Sequence, residues 1–215
     1  MIIIFLGPPG SGKGTQAKIL HQKLGGFYFE GGNILRKKAE ENSSLGRKIK
    51  KIIYQKGKLV PDDLMEKILK EWFRGKDISR GVVLDGFPRN LSQYQMLKKV
   101  LSQKGEKINK VIFLRVSEAV VIKRLLARRV CPKCGLEFNL ITKPPKKDEI
   151  CDSCGTKLKR RADDTPEMIK ARLHTYLEKT QPLLDFLKKE GVLEEIDGER
   201  RIEDIYQEIS KKILH

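Results

Sequence analysis

The chain has 215 residues, 39% of them hydrophobic, and a formal charge of +17. That length suits one compact core with small appended lobes. No apolar run approaches the ~18 residues a membrane span needs, and so basic a chain points first to a polyanionic partner, nucleic acid or phosphate.

The opening Met1-Ile2-Ile3-Ile4-Phe5-Leu6 carries no basic segment and runs straight into glycine. It predicts a strand rather than a signal peptide, and with it a cytoplasmic location. The loop Gly7-Pro8-Pro9-Gly10-Ser11-Gly12-Lys13-Gly14-Thr15 follows, and a helical pattern over Lys13–Leu24 continues from it. Strand, glycine loop and helix are the context of a P-loop. Its backbone N–H groups and the helix N-terminus attract phosphate, and Lys13 adds a full charge. Gly10, Ser11, Gly12, Lys13, Gly14 and Thr15 are therefore candidate ATP ligands. The strict pattern has Ser or Thr directly after the lysine, whereas Gly14 intervenes here.

A short strand is predicted over Phe27–Phe29, then a polar helical stretch from Glu30 to Val60 with no obvious strand. Pro61–Phe73 predicts a helix with proline in its first turn. The run Gly81-Val82-Val83-Leu84-Asp85-Gly86 predicts a strand that delivers Asp85 to its carboxyl end, where a carboxylate can hold Mg²⁺ through its water shell. Helices over Leu91–Lys104 and Glu118–Arg128 flank a strand over Val111–Val116. Further on come a helix over Thr165–Glu190, a strand over Val192–Ile196 and a helix over Arg201–Leu214. Short apolar strands alternating with helices predict an α/β fold, a parallel sheet covered on both faces, with ligands beyond the carboxyl ends of its strands.

The stretch Val130–Arg160 breaks that alternation. It holds Cys131-Pro132-Lys133-Cys134 and Cys151-Asp152-Ser153-Cys154, two C-x₂-C pairs with 16 residues between them. That spacing predicts a zinc site, and four thiolates leave no open position, so its role is structural. A cytosolic setting disfavours disulfides. From Lys123 to Arg161 twelve Lys/Arg face four Asp/Glu, which suits a flap over phosphates as well as it suits a solvated surface. The histidines His21, His174 and His215 do not cluster, and no Ser-His pair stands out as a nucleophile. Direct phosphoryl transfer, which needs alignment and charge compensation rather than covalent help, fits that inventory.

Several motifs in order give the chain its resemblance to the adenylate kinase family over essentially its full length. They are the P-loop with Gly14, Asp85-Gly86-Phe87-Pro88-Arg89 followed by Gln93, and Gly57-Lys58-Leu59-Val60-Pro61-Asp62. The spacing of Arg124, Arg128, Arg161, Asp163, Asp164 and Arg172 completes the set. The resemblance implies a P-loop core over 1–29, 61–124 and 163–215, a helical monophosphate-binding insert over 30–60 and a zinc-ribbon lid over 125–162. It implies Mg²⁺-dependent transfer between ATP and AMP. Arg36 and Arg89 would bind the AMP phosphate and Gln93 would read the adenine, with Gly31, Lys58, Leu59, Val60, Gly86 and Phe87 around them. Arg124 would pack by ATP, and Arg128, Arg161 and Arg172 would surround the moving group together with Lys13; Arg160 could stand in for its neighbour Arg161. A monomer is expected, since lobes must open and close freely.

One segment departs from the family pattern. Where Ser-Thr-Gly-Asp is usual, the chain reads Glu30-Gly31-Gly32-Asn33, losing a hydroxyl contact of about 0.5–1.5 kcal/mol. Asn90 after Arg89 leaves open a UMP/CMP-type kinase. Basic charge with a zinc ribbon leaves open a nucleic-acid binder, although aromatic residues do not interleave with the basic ones as stacking platforms would. An ATPase without a monophosphate acceptor is the third alternative.

Overall fold

In the computed structural model the described residues are 1–214; His215 lies outside them. A five-stranded sheet forms the centre. Its strands are β1 (Ile2–Leu6), β2 (Phe27–Glu30), β3 (Val82–Asp85), β4 (Lys110–Arg115) and β7 (Leu193–Asp197), in the order β2-β3-β1-β4-β7. Every pairing in it is parallel. β1 is buried at all five positions, because helices cover both faces of the sheet. Ile2, Ile4 and Leu6 enter one apolar cluster with Val82 and Leu84, and Ile3 and Phe5 enter the opposite one with Val83 and Ile112. That is the two-residue alternation of a strand with both sides packed.

Helix α1 (Lys13–Leu24) lies with α9 (Ile202–Leu214) against the Ile3/Phe5 face. The Ile2/Ile4 face takes α4 (Asp62–Phe73), α5 (Leu91–Ser102) and α8 (Gln181–Lys189). Residues 31–56 form α2 (Gly31–Glu40), α3 (Ser44–Lys51) and a π-helical turn (Ile52–Lys56), the polar helical insert expected between β2 and α4. The Ser43 hydroxyl caps α3 by accepting from the Gly46 N–H.

After α6 (Glu118–Leu126) the chain makes an antiparallel pair, β5 (Arg128–Val130) with β6 (Glu137–Asn139). The helix predicted to Arg128 therefore stops two residues early, and Arg128 starts a strand. A larger correction concerns Thr165–Glu190, predicted as one helix. It is two, α7 (Pro166–Lys179) and α8, with Thr180 between them. Pro182 explains the break: it has no N–H to donate and its ring would meet the carbonyl four residues back. Pro61, expected inside its helix, caps α4 instead.

Candidate active site and metal centre

The carboxyl ends of β1 and β3 open into a cleft of about 630 Å³, within the usual range of ligand pockets. The P-loop forms its floor. Gly10 and Gly12 have φ of 80° and 88°, a conformation closed to most side chains, and so the loop can turn its amides inward. The Lys13 ammonium donates to the Pro8 carbonyl at 3.1 Å. Burial pulls Lys13 down to about 8; Asp85 opposes that, and Arg89, Arg172 and Arg128 reinforce it.

Asp85, 8% exposed, lies opposite the start of α1. A Cβ on residue 14 would stand 2.9 Å from Asp85 Oδ2. Gly14 thus lets the carboxylate approach the helix, which accounts for its displacing the Ser or Thr of the strict pattern. The Tyr28 hydroxyl donates to Oδ2 at 3.3 Å, while Oδ1 is buried without a partner among the described residues. Burial raises the Asp85 carboxyl, against the attraction of Lys13 and Arg89. An orphaned carboxylate oxygen beside a phosphate cradle has the chemistry to accept from a water of hydrated Mg²⁺.

The far side of the cleft is a lattice of arginines and acids. Arg128 grips Asp164 through two bonds, Nε to Oδ2 at 2.7 Å and Nη2 to Oδ1 at 2.6 Å. Arg161 grips Asp163 the same way, both bonds at 2.9 Å, and also donates to Glu137 at 3.1 Å. Arg172 donates to the Asp164 carboxylate at 2.9 Å and the Asp163 carbonyl at 3.1 Å. Burial opposes the charge of Asp163, yet Arg161 and Arg172 hold its carboxyl far below the usual range. Such paired, charge-assisted bonds are short and directional. Arg124 donates to the carbonyls of Gly198, at 2.8 Å, and Ser11, joining α6 to the P-loop. Arg36 lies over Gly32, whose Cβ would be 3.3 Å from the guanidinium, and Arg89 folds back to the Gly86 carbonyl at 2.8 Å.

Of the residues expected from the sequence, Gly10, Gly12, Lys13, Gly14, Thr15 and Asp85 line this cleft, as do Arg36, Leu59, Gly86, Arg89, Arg124, Arg128, Arg161 and Arg172. Arg160 is exposed and outside it, whereas the adjacent Arg161 lines it. Ser11, Gly31, Lys58, Val60, Phe87 and Gln93 stand off the lining. Phe87 is buried against Phe29, ring centres 5.6 Å apart. The Gln93 amide is buried behind Arg89: its Oε1 accepts from the Arg89 N–H and its Nε2 donates to Asp62, both at 2.9 Å. Gly31 has a negative φ, and a Cβ there would make only ordinary contacts at 3.4 Å. Space does not demand the missing side chain.

Sequence reasoning missed several cleft residues. Thr180, at the helix break, donates to the Arg89 carbonyl at 2.8 Å. Thr before Gln181-Pro182 is a helix-start signal that could have revealed it. Glu137, and Tyr28 behind Asp85, gave no such signal, since their partners are remote in sequence.

The four cysteines converge. Cys131 and Cys154 sulfurs are 3.4 Å apart, Cys134 and Cys151 3.5 Å, and all four lie within 4.8 Å of one another. Tetrahedral zinc with bonds of about 2.3 Å spaces its sulfurs by about 3.8 Å, so the set fits that ion. Gly135 and Gly155, with φ of 73° and 68°, close matching turns by donating to the Cys131 and Cys151 carbonyls at 2.9 Å. A small apolar cluster, Cys131, Phe138, Cys151 and Leu158, surrounds the sulfurs, and it is separate from the clusters of the sheet.

Comparison with known proteins agrees with this geometry. The profile of the family described as Adenylate kinase matches residues 5–192. An adenylate kinase of Thermotoga petrophila is 44% identical over 210 residues, covering 97% of this chain and 95% of its own. One from Archaeoglobus fulgidus is 43% identical over 209 residues, covering 97% and 96%. One from Caldanaerobacter subterraneus is 39% identical over 214 residues, covering 100% and 96%.

Proposed function

The chain belongs to the adenylate kinase family, and from that premise we propose how its residues carry the reversible transfer of a phosphoryl group from ATP to AMP. A phosphate oxygen of AMP attacks the terminal phosphorus of ATP. The new P–O bond forms as the bond to the bridging oxygen breaks, and two ADP molecules result. Little covalent assistance is required, so alignment and compensation of negative charge carry the catalysis.

The P-loop amides and Lys13 would hold the ATP phosphates, with Arg124 beside them. Arg36 and Arg89 would hold the phosphate of AMP from the opposite end, with Gln93 reading its base. Arg128, Arg161 and Arg172 would exchange part of their grip on Asp163 and Asp164 for the oxygens of the moving group. Mg²⁺ bound with ATP supplies positive charge at the phosphates, and Asp85 would hold it through water. The four thiolates would hold a structural Zn²⁺ that keeps β5 and β6 in shape. Segments 30–60 and 125–162 would close over the nucleotides and exclude water, which would otherwise accept the phosphoryl group. The chain would act as a cytoplasmic monomer; among the described residues no helix is long and apolar enough to cross a membrane.

One observation carries this reading: Lys13 and Asp85 share a single cleft with the three arginines bound to Asp163 and Asp164. A UMP/CMP-type reading is the weaker one. The Asn90 side chain already caps α5, accepting from the Gln93 N–H at 2.7 Å, and donates to Asp62 at 3.1 Å. Using it to read a pyrimidine would give up that cap, at about 1 kcal/mol. The test is ADP formation from ATP with AMP, UMP, CMP or GMP. AMP should be the preferred acceptor, with two ADP formed per ATP consumed. Hydrolysis of ATP that ignores the monophosphate would overturn the reading.

A further inference from the structure

Asp62 is the first residue of α4, directly after the segment that closes the insert. Its carboxylate reaches across to α5. Oδ1 accepts from Gln93 Nε2 at 2.9 Å, and both oxygens accept from Asn90 Nδ2, at 3.1 and 3.3 Å. The other end of the Gln93 amide, Oε1, accepts from the Arg89 backbone N–H at 2.9 Å. Gln93 is 3% exposed, so neither group has bulk water as a substitute partner.

A primary amide offers two donors and two acceptor sites. Asp62 uses one donor and the Arg89 N–H uses one acceptor, leaving one of each. The arrangement also fixes which end is which. A flipped amide would set its NH₂ against the Arg89 N–H, donor to donor, and its oxygen against a carboxylate, acceptor to acceptor. Both mismatches would fall on the buried Gln93 amide, where each unsatisfied polar group is costly. The bases make the consequence concrete. A 6-aminopurine presents a donor at the 6-position and an acceptor at N1. A 6-oxopurine presents the reverse, and needs the reversed amide.

We propose that Asp62 is a positioning residue for base selection: with the Arg89 N–H it locks the Gln93 amide in one orientation, so that the site accepts a 6-aminopurine monophosphate and rejects a 6-oxopurine one. The inference rests on Gln93 reading the base of the acceptor. Asp62 itself touches no substrate. Its effect passes through the amide, and its negative charge at the start of α4 is a separate, purely structural contribution.

The experiment compares kcat/KM for AMP and for IMP, a 6-oxopurine monophosphate without further substituents. It uses the parent, Asp62→Asn, Gln93→Leu, the double variant and Asn90→Ala. An asparagine at 62 can donate as well as accept, so it removes one of the two constraints on the orientation of Gln93 and leaves only the Arg89 N–H against the flipped amide. Asp62→Asn should lower the AMP-to-IMP ratio about tenfold, through a raised KM for AMP and a lowered KM for IMP. The KM for ATP should stay within twofold. In the Gln93→Leu background, Asp62→Asn should change the ratio no further. Asn90→Ala removes the other partner of the same carboxylate and should keep the parent ratio.

If Asp62→Asn leaves the ratio within twofold while Gln93→Leu lowers it, the proposal is overturned and Gln93 remains the reader. Should Gln93→Leu itself leave the ratio untouched, the premise fails and the proposal goes with it. An Asn90→Ala ratio as low as that of Asp62→Asn would also overturn it, because general loosening would then suffice. Thermal unfolding of each variant separates these outcomes from misfolding.

Discussion

At position 14 an alanine would place its methyl group 2.9 Å from Asp85 Oδ2, although alanine suits a helix better than glycine by about 1 kcal/mol. The two effects oppose each other in stability but not in activity. Gly14→Ala should therefore change Tm little, while displacing the carboxylate and lowering kcat on the order of 100-fold. Melting curves beside steady-state rates check this, and a variant of normal rate would refute it. Lys13 makes a different prediction. Burial lowers it to about 8, and a bound polyphosphate favours the ammonium form. Above pH 8 nucleotide binding must then draw a proton from solvent. ATP affinity should weaken by up to about tenfold per pH unit there, and calorimetry in buffers of different ionisation enthalpy should register proton uptake. Buffer-independent heats at pH 8.5 would show that Lys13 does not titrate in this range.

At the scale of elements, the β5–β6 hairpin and the loops around its cysteines are short of apolar support. Besides two of the cysteines, their cluster buries only Phe138 and Leu158. Fully burying two such side chains contributes about 3–6 kcal/mol, whereas ordering costs about 1–2 kcal/mol per residue. On the proposed reading a bound metal supplies the balance. Stripping it with a chelator, or Cys134→Ser, should abolish amide-exchange protection in residues 128–160. Protection in β1, β3 and β4 should persist, since Ile2–Leu6 and Val82–Leu84 belong to other clusters. Transfer activity should fall with the hairpin's protection. A hairpin equally protected with and without metal would contradict this.

Across the whole molecule, legibility followed the range of the interactions. β1 and β3 could be read from short apolar runs because burial on both faces writes itself into consecutive residues. The P-loop and the two C-x₂-C pairs could be read because backbone turns and metal geometry impose local spacing. Arg128, Arg161 and Arg172 were legible by resemblance, as were Asp163 and Asp164, but which acid each arginine grips was not, since Arg128 finds Asp164 across 36 positions of chain. Gln93 met the same difficulty with Asp62. The break at Thr180 was written in Pro182 and was overridden by an apolar periodicity that continues through it.

The four-sulfur knot has a wider consequence, because among the described residues it shares no buried apolar cluster with the sheet. Selection could alter how the β5–β6 hairpin is fastened, or strengthen it against heat, without repacking the clusters that support β1 and the P-loop. The hairpin's durability and the packing of the sheet can thus drift along separate evolutionary paths within one gene product.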